Sequence, residues 1–433
     1  MNPERTLLLV GATDETLIKA EALGLHVLLL QHPTKITPEQ ERLVDLVRVV
    51  DFTRWDAVEP IARELHEAPG FAAALSLTEP GLEAAASIND LFGLGGTGHE
   101  VALRFRDKGV MRRHFAAVDP DAVQAAPLRA RADLDAFGSR HGYPFIVKPT
   151  DATASIGVRR VDGPADVEEV WDEVQRLVGT RTDRISTLFI LQDFLMEEYL
   201  DGPEYSVEAF SFAGRHVVAA ITEKFTDPAH CAELGHAVPA RLPSGAQEQV
   251  RQSVGRFLDL IGYRDGVSHT EIRIGKDGPR VIESHNRVAG DAIPELVRSA
   301  YGIDLMTLAL GWPFRLVEEL PDRPMAHAGA SVRVLVGEPG GRVESVEGVA
   351  EALRQEGVLD VRISAKPGDD VRAVRDNWDR LGLVAVAGPD TTAAVRRGAE
   401  VIRDTIKVRV LGADGRPLLA EAAPVTEWTV ESA

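Results

Sequence analysis

The stretch 266–291, GVSHTEIRIGKDGPRVIESHNRVAGD, constrains this chain more than any other. Two runs of alternating, β-branched character, 267–274 and 280–283, flank the turn residues Gly275, Lys276, Asp277, Gly278 and Pro279. The pattern predicts strand, turn, strand. A hairpin centred on Asp277 sets Glu271 almost opposite Glu283, and period-two alternation puts both on one face. Like charges about 4 Å apart repel by roughly 1 kcal/mol in bulk water and about 4 kcal/mol at an effective dielectric of 20. A chain that keeps such a pair is expected to place a cation between them, and oxygen donors of this kind suit Mg²⁺. The same alternation carries His285 and Arg287 onto the Glu283 face. The competing reading is a solvated hairpin edge whose charges serve solubility, and the hairpin alone does not decide between the two.

Composition narrows the classes. A chain of 433 residues has room for two to four domains and a substantial core. A net charge of −19 argues against a general nucleic-acid or anionic-membrane binder, so an anionic ligand must be met by locally placed Lys, Arg or metal. The single cysteine, Cys231, excludes an intramolecular disulfide and a thiolate zinc cluster, and it reads as incidental rather than nucleophilic. No run of 18 apolar residues occurs, and the N-terminal MNPERTLLLVGATDE meets acidic residues too soon for a signal peptide. The expectation is a cytoplasmic protein with no nucleic-acid or membrane partner.

Along the chain, apolar runs at 6–10, 26–30, 46–50 and 71–77 alternate with helical patterns, which predicts a parallel, doubly wound sheet. Its first turn carries one glycine, not G-x-G-x-x-G, so the dinucleotide fingerprint is absent. The glycines at 95, 96 and 98 read as a linker, since no Lys-Ser/Thr follows. A helical pattern over 101–115 carries Arg106, Lys108, Arg112 and Arg113, a cluster that alone reads as a solvated face. A strand over 143–148 ends on Lys148 and runs into the small-residue loop 150–158, TDATASIGV. Such a loop lets backbone N–H groups approach an anion, and a preceding Lys can clamp it. An ordinary flexible loop is the alternative. The run 194–208, FLMEEYLDGPEYSVE, reads as a hinge able to offer backbone groups to a base edge and a carboxylate, Glu204, to ribose hydroxyls. A plain strand connection is the alternative.

Lys108, Lys148 before its loop, E-E-Y-L-D-G-P-E-Y-S-V-E, T-E-I-R-I and E-S-H-N-R-V-A-G-D, in that order, resemble the ATP-grasp superfamily. Within it the chain is similar to the carboxylate–amine ligases that join amino acids, the L-amino-acid ligase and carnosine-synthase type. The likeness covers nearly the whole chain. It implies a mixed α/β and α+β architecture: an N-terminal doubly wound α/β domain with linker (1–110), a small lid domain (111–208) and a larger antiparallel C-terminal domain (209–433). That last part includes the metal hairpin at 266–291 and a C-terminal subdomain at 326–420, and the final twenty or so residues read as a loose tail. The resemblance assigns Lys108, Lys148, Ser155, Gly157, the hinge Glu197, Glu198, Tyr199 and Leu200, and Glu204 to the nucleotide. Glu271 and Glu283 match the metal ligands, and Arg287, with Lys148, the transferred phosphate. One departure stands out: the usual E-x-N-x-R has His285 at its central position, with Asn286 displaced by one, so either residue completes the metal set.

The segment 231–239 resembles one lying over the amino-acid pocket of these ligases. It makes Glu233 and His236 candidate substrate contacts, with Lys224, Arg287 and Gly290; a surface loop with scattered charge is the alternative. The implied function is ADP-forming amide or peptide synthesis through an acyl phosphate, using ATP and Mg²⁺ (Mn²⁺ as an alternative) on small carboxylate and amine substrates. A homodimer is a family-level expectation. The runners-up are an ATP-grasp enzyme with a non-amino-acid acceptor or a carboxylase-type reaction, and a non-catalytic nucleotide-binding homologue.

Overall fold

The structure, a computed structural model, describes residues 2–179, 190–227 and 230–425. Four strands, numbered in chain order, form the first sheet: β1 (Thr6–Val10), β2 (His26–Gln31), β3 (Leu46–Val49) and β4 (Ala73–Leu75). They are all parallel in the order β3-β2-β1-β4. Every residue of β1 is buried, as expected of a parallel strand covered on both faces. Helices α1 (Asp14–Ala22), α2 (Pro38–Leu43), α3 (Trp55–Glu67) and α4 (Leu82–Phe92) complete this unit. Thr13 caps α1 by accepting the Thr16 N–H, and Gly93, in the left-handed region, ends α4.

The helical pattern over 101–115 is two helices, α5 (His99–Arg106) and α6 (Lys108–Val118). Asp107 breaks the run with extended backbone and caps α6 through the Val110 N–H. The small second sheet is antiparallel, in the order β5 (Ala125–Leu128), β8 (Phe194–Glu198), β6 (Phe145–Pro149), β7 (Arg159–Val161). Helices α7 (Arg131–His141) and α8 (Val167–Leu177) cover it. Of the apolar run read at 188–191, positions 188 and 189 lie outside the described residues.

The large sheet has nine strands. Its path is β13 (Gly278–His285), β12 (Gly266–Gly275), β9 (Glu204–Phe212), β10 (Arg215–Thr226), β11 (Glu233–Val238), β14 (Gly329–Val336), β17 (Gly382–Gly388), β16 (Val358–Ile363), with β20 (Glu421–Ala422) also on β14. All its pairings are antiparallel. The segment 231–239 is therefore no surface loop, because β11 runs through the interior of this sheet. Strands β15 (Arg342–Glu347), β18 (Lys407–Leu411) and β19 (Pro417–Leu419) make a third antiparallel sheet. The tail is tied down as far as it is described, with Ala423 fully buried and its N–H bonded to Val334 O.

Strand alternation sorts the large sheet into two faces. Tyr205, Val207 and Ala209 of β9, Ile221 of β10 and Ile272 of β12 pack under α9 (Ser244–Ile261). That helix offers Val250, Val254, Phe257, Leu258 and Ile261, spaced for one face, and stops at left-handed Gly262. The intervening residues Glu204, Glu208 and Glu271 face the opposite way. Among the described residues no helix is long and apolar enough to cross a membrane.

Gly202 locks the connection from β8 to β9 onto the hairpin. Its φ is +99°, and a Cβ there would lie 2.2 Å from the Ile274 carbonyl oxygen. Gly202→Ala should lower stability by about 1–3 kcal/mol, read from the urea midpoint. An unchanged midpoint would contradict the close approach.

Candidate active site

Glu271 and Glu283 are direct cross-strand partners on β12 and β13, as the hairpin reading required, with the ladder shifting register just after Glu271. Both line a cavity of 680 Å³ bordered by the four-stranded sheet of β5 to β8, the hairpin, Glu79 of the N-terminal unit and residues 377–383. Lys108, Lys148, Ser155 and the run from Glu197 to Leu200 line the same cavity. So do Glu204, Glu233, His285, Arg287 and Gly290. Four candidates do not reach its wall. Gly157 (φ +66°) packs against Pro149 and Leu177. Asn286 lines a small separate cavity with Trp312 and Ala74, its buried Oδ1 unpaired. Lys224 and His236 lie just beneath the surface, at 2% and 0% exposure.

Buried lysines hold the carboxylates in register. Lys224, inside β10, puts Nζ 2.8 Å from Glu204, 2.8 Å from Glu233 and 3.0 Å from Glu271. Lys108 Nζ lies 3.1 Å from Glu283 and donates to Ala152 O at 2.7 Å. Lys148 pairs with Glu197, whose other oxygen accepts from Arg112 Nε at 2.8 Å. Arg112 continues to the carbonyls of Val281 and Ile282, so it also caps the sheet's edge strand. Most of the basic cluster is thus not a solvated face: Arg106, Lys108 and Arg112 are buried because their partners lie on other elements, and Arg113 alone of the four is exposed.

Burial alone would lower the Lys224 ammonium, but Glu204, Glu233 and Glu271 overcome it and raise it well above the usual lysine value. Burial would raise Glu271; Lys224 and His269 outweigh that and the repulsion from Glu283, holding it well below the carboxylate range. Glu283 is held low in the same way, against burial, by Lys108 and His285. His269 Nδ1 donates to Glu208 at 3.0 Å and its Nε2 stands 3.4 Å from Glu271. Its burial is overcome by Glu208 and Glu271, which push it up to about 9. Carboxylate oxygens are the only donors Glu271 and Glu283 present. That set suits a hard divalent cation, and the two ammonium groups supply its counter-charge in this state.

Several contributors were given no role by the motifs, although Arg273 lies within T-E-I-R-I and Asp291 ends E-S-H-N-R-V-A-G-D. Glu79 pairs with Arg287 and stands 3.1 Å from His285 Nδ1. Arg273 bonds Glu204, the Leu200 carbonyl and the face of Tyr199. Arg380 grips Asp291 at 2.5 and 2.9 Å, and Asn377 donates to Glu233 at 2.7 Å. Asp291 also lies 3.2 Å from His236. The loop over the cavity is strained: Ala154 and Ser155 both have φ of +61°. Ser155 Oγ donates to Cys231 O at 2.9 Å, and Asn377 N to Ala154 O at 3.2 Å.

Three domain families match the chain: an ATP-grasp N-terminal domain at 17–96, an ATP-grasp domain at 141–295, and L-amino acid ligase C-terminal domain 2 at 333–410. The alanine–anticapsin ligase of Bacillus subtilis (strain 168) is 27% identical over 294 residues, covering 64% of this chain and 58% of its own. Carnosine synthase 1 of Homo sapiens is 25% identical over 287 residues, 63% of this chain and 33% of its own. The chain therefore spans well under two thirds of either named enzyme. An uncharacterized Sinorhizobium fredii protein, y4rH, is 26% identical over 360 residues, 82% of this chain and 72% of its own. The solved L-amino acid ligase from Bacillus licheniformis superposes with a TM-score of 0.79 at 21% identity, over 94% of this chain and 99% of that one. Phosphoribosylglycinamide synthetase from Anaerococcus prevotii gives 0.68 at 19%, over 93% and 99%. At such identities the superpositions establish the shared fold.

The charge network fixes how stability responds to pH. Glu79, Glu197, Glu283 and Asp291, all held low in the folded state, contribute above about pH 4.3, and that contribution is lost as pH falls. His269, held high, contributes fully below about pH 6.5 and loses its contribution as pH rises through about 9. Between those last two values the wild type should lose on the order of a few kcal/mol that His269→Gln does not, measured by urea unfolding at each pH. Parallel curves for the two proteins would contradict the pairing.

Proposed function

From the premise that the chain belongs to the ATP-grasp superfamily, we propose that it is an ADP-forming carboxylate–amine ligase joining amino-acid substrates through an acyl phosphate. The observation that carries this reading is the facing pair Glu271 and Glu283 on the wall that also holds Lys108, Lys148 and the 150s loop. A carboxylate and an amine do not condense in water unaided, so the site must first make a better leaving group.

Adenine lies along the hinge from Glu197 to Leu200, and Glu204 takes the ribose hydroxyls. Lys148 and Lys108, already aimed into the cavity by Glu197 and Glu283, turn to the phosphates. Glu271 and Glu283 would hold Mg²⁺, with Mn²⁺ as an alternative, and the ion would supply neutralising charge for the phosphoryl group in transfer. A substrate carboxylate oxygen attacks the γ-phosphorus, the bond to the β-phosphate oxygen breaks, and ADP departs. Arg287 meets the charge on the transferred group. Ser155, through Cys231, and Ala154, through Asn377, keep the loop shut, so water does not reach the acyl phosphate.

The second substrate's amine then attacks the acyl carbon. The new C–N bond forms, the C–O bond to phosphate breaks, and phosphate leaves with the electron pair while the amine gives up its proton. Glu233 and Gly290 border the substrate end, while His236 fixes Asp291 from below. His285 Nε2 stands 3.3 Å from Glu283 and supports that carboxylate, its ring nitrogens being poor ligands for Mg²⁺ beside oxygen donors. No step needs a protein nucleophile. Cys231 is unsuited to be one, since burial pushes its thiol up.

Glu283→Gln should cut ADP formation at least about 100-fold, because removing one preorganised charge from a phosphoryl-transfer site costs that much. Near-normal turnover in the variant would refute the metal assignment. For the wild type, ADP release over a panel of single and paired amino acids should rise only with particular pairs, and a response to non-amino-acid amines alone would point to another acceptor class.

A further inference from the structure

Glu208, in the middle of β9, is fully buried, does not reach the wall of the reaction cavity and takes no part in the proposed steps. A carboxylate taken out of water needs donors and a counter-charge. Its donors are Ser206 Oγ at 2.8 Å and His269 Nδ1, which lies 3.0 Å from one oxygen and 3.1 Å from the other. Among the described residues His269 is its one ion-pair partner. Strand register brings these groups together. The ladder of β9 and β12 sets Glu208 opposite His269 and Ser206 opposite Glu271. The hairpin then sets His269 opposite His285 and Glu271 opposite Glu283. Alternation puts all six side chains on one face.

His269 links the buried carboxylate to the cavity. Its Nε2 lies 3.4 Å from Glu271, and the near atom there is Oε1, the oxygen that Lys224 Nζ also approaches at 3.0 Å. The torsion that swings an imidazole ring is soft, so a ring left to itself has no fixed direction. Pinned at Nδ1 by Glu208, this ring keeps Nε2 aimed at one oxygen. The other arm of the hairpin repeats the arrangement. His285 Nε2 lies 3.3 Å from Glu283 Oε1, and its Nδ1 lies 3.1 Å from Glu79 Oε2, close enough to pair but not aligned for a hydrogen bond. The two rings are 6.1 Å apart and inclined at 23°. Glu79 also serves Arg287, so of the two outer carboxylates Glu208 is the one committed to its histidine.

We propose that Glu208 is a positioning residue for the metal site: through His269 it fixes the Glu271 carboxylate so that Oε1 is held by the protein and Oε2 is offered toward Glu283. The inference rests on the ligase reading and its metal pair, and deepens it by giving a task to a residue that lies outside the cavity. Groups that orient a metal's ligands from outside are worth about 10–100-fold in its affinity. A pair that served the core alone would contribute to folding and leave that affinity untouched.

The test is Mn²⁺ titration of the protein carrying one equivalent of a non-hydrolysable ATP analogue, for wild type, Glu208→Gln, His269→Gln and the variant with both changes. Water proton relaxation follows it, because this separates ion held by the protein from the analogue's own complex. Each single substitution should raise the Mn²⁺ Kd about tenfold or more, and the double variant should bind no more weakly than His269→Gln. Analogue affinity in EDTA should be the same throughout. A wild-type Mn²⁺ Kd in Glu208→Gln, even with a lowered urea midpoint, would make the pair purely structural and overturn the proposal. Losses that multiply in the double variant, or an analogue affinity in EDTA that falls in step, would overturn it too. If Glu208→Gln does not fold, His269→Gln against the double variant decides: equal Kd values support the relay and unequal ones overturn it. A wild type that binds no Mn²⁺ beside the analogue overturns the metal reading and the relay together. Wild-type binding that Glu283→Gln weakens and Glu208→Gln does not overturns the relay alone.

Discussion

One buried ammonium, that of Lys224, stands between Glu204, Glu233 and Glu271, and the rest of the site depends on it. Those three carboxylates come from three strands, and each has a separate proposed task at ribose, substrate and metal. Unpaired, they would repel one another in a medium that screens charge poorly. Removing one partner of a buried ion pair typically costs about 3–5 kcal/mol, because the charge left behind has no water to solvate it. The lysine therefore does more than neutralise. It sets the spacing at which the carboxylates wait, and Lys108, at the start of α6, does the same for Glu283.

Reaching such a network takes every part of the chain. The N-terminal unit contributes Glu79 against Arg287, the lid contributes Lys148 against Glu197, and the loop before β17 contributes Arg380 against Asp291. None of these pairs is local in sequence. The strained turn at Ala154 and Ser155 persists because it is held from two directions, by Cys231 and by Asn377. Closure over the cavity and assembly of its wall are in this sense one event.

That non-locality explains what the sequence did and did not disclose. The hairpin was legible because its alternation and its glycine-rich turn are local signals, and the facing of Glu271 and Glu283 followed from counting by twos. The N-terminal parallel sheet was legible for the same reason, through short apolar runs spaced by helical patterns. Arg112 and Arg106 were misread as surface charge because nothing in a helical stretch tells that its partners sit on a hinge strand or an N-terminal loop. A surface loop stayed open as the alternative for 231–239 because Gly235 and the charges of Glu233 and His236 mask a strand whose partners come from β10 and β14. Glu79, Asn377 and Arg380 carry no motif at all, and Asp291 closes a motif that does not disclose its partners; only the packing of distant elements makes them neighbours.

Crystals grown with Mn²⁺ and a non-hydrolysable ATP analogue, and read by anomalous difference density, test the central claim most directly. The account predicts a peak between Glu271 and Glu283, with Lys148 beside the phosphates. A second acidic group offers a ready contrast: Glu233, His236 and Asp291 each bring a ligand atom within 4.8 Å of the others, although Lys224, Asn377 and Arg380 already occupy them. Density at that group alone, or none at the hairpin with the analogue bound, would contradict the account.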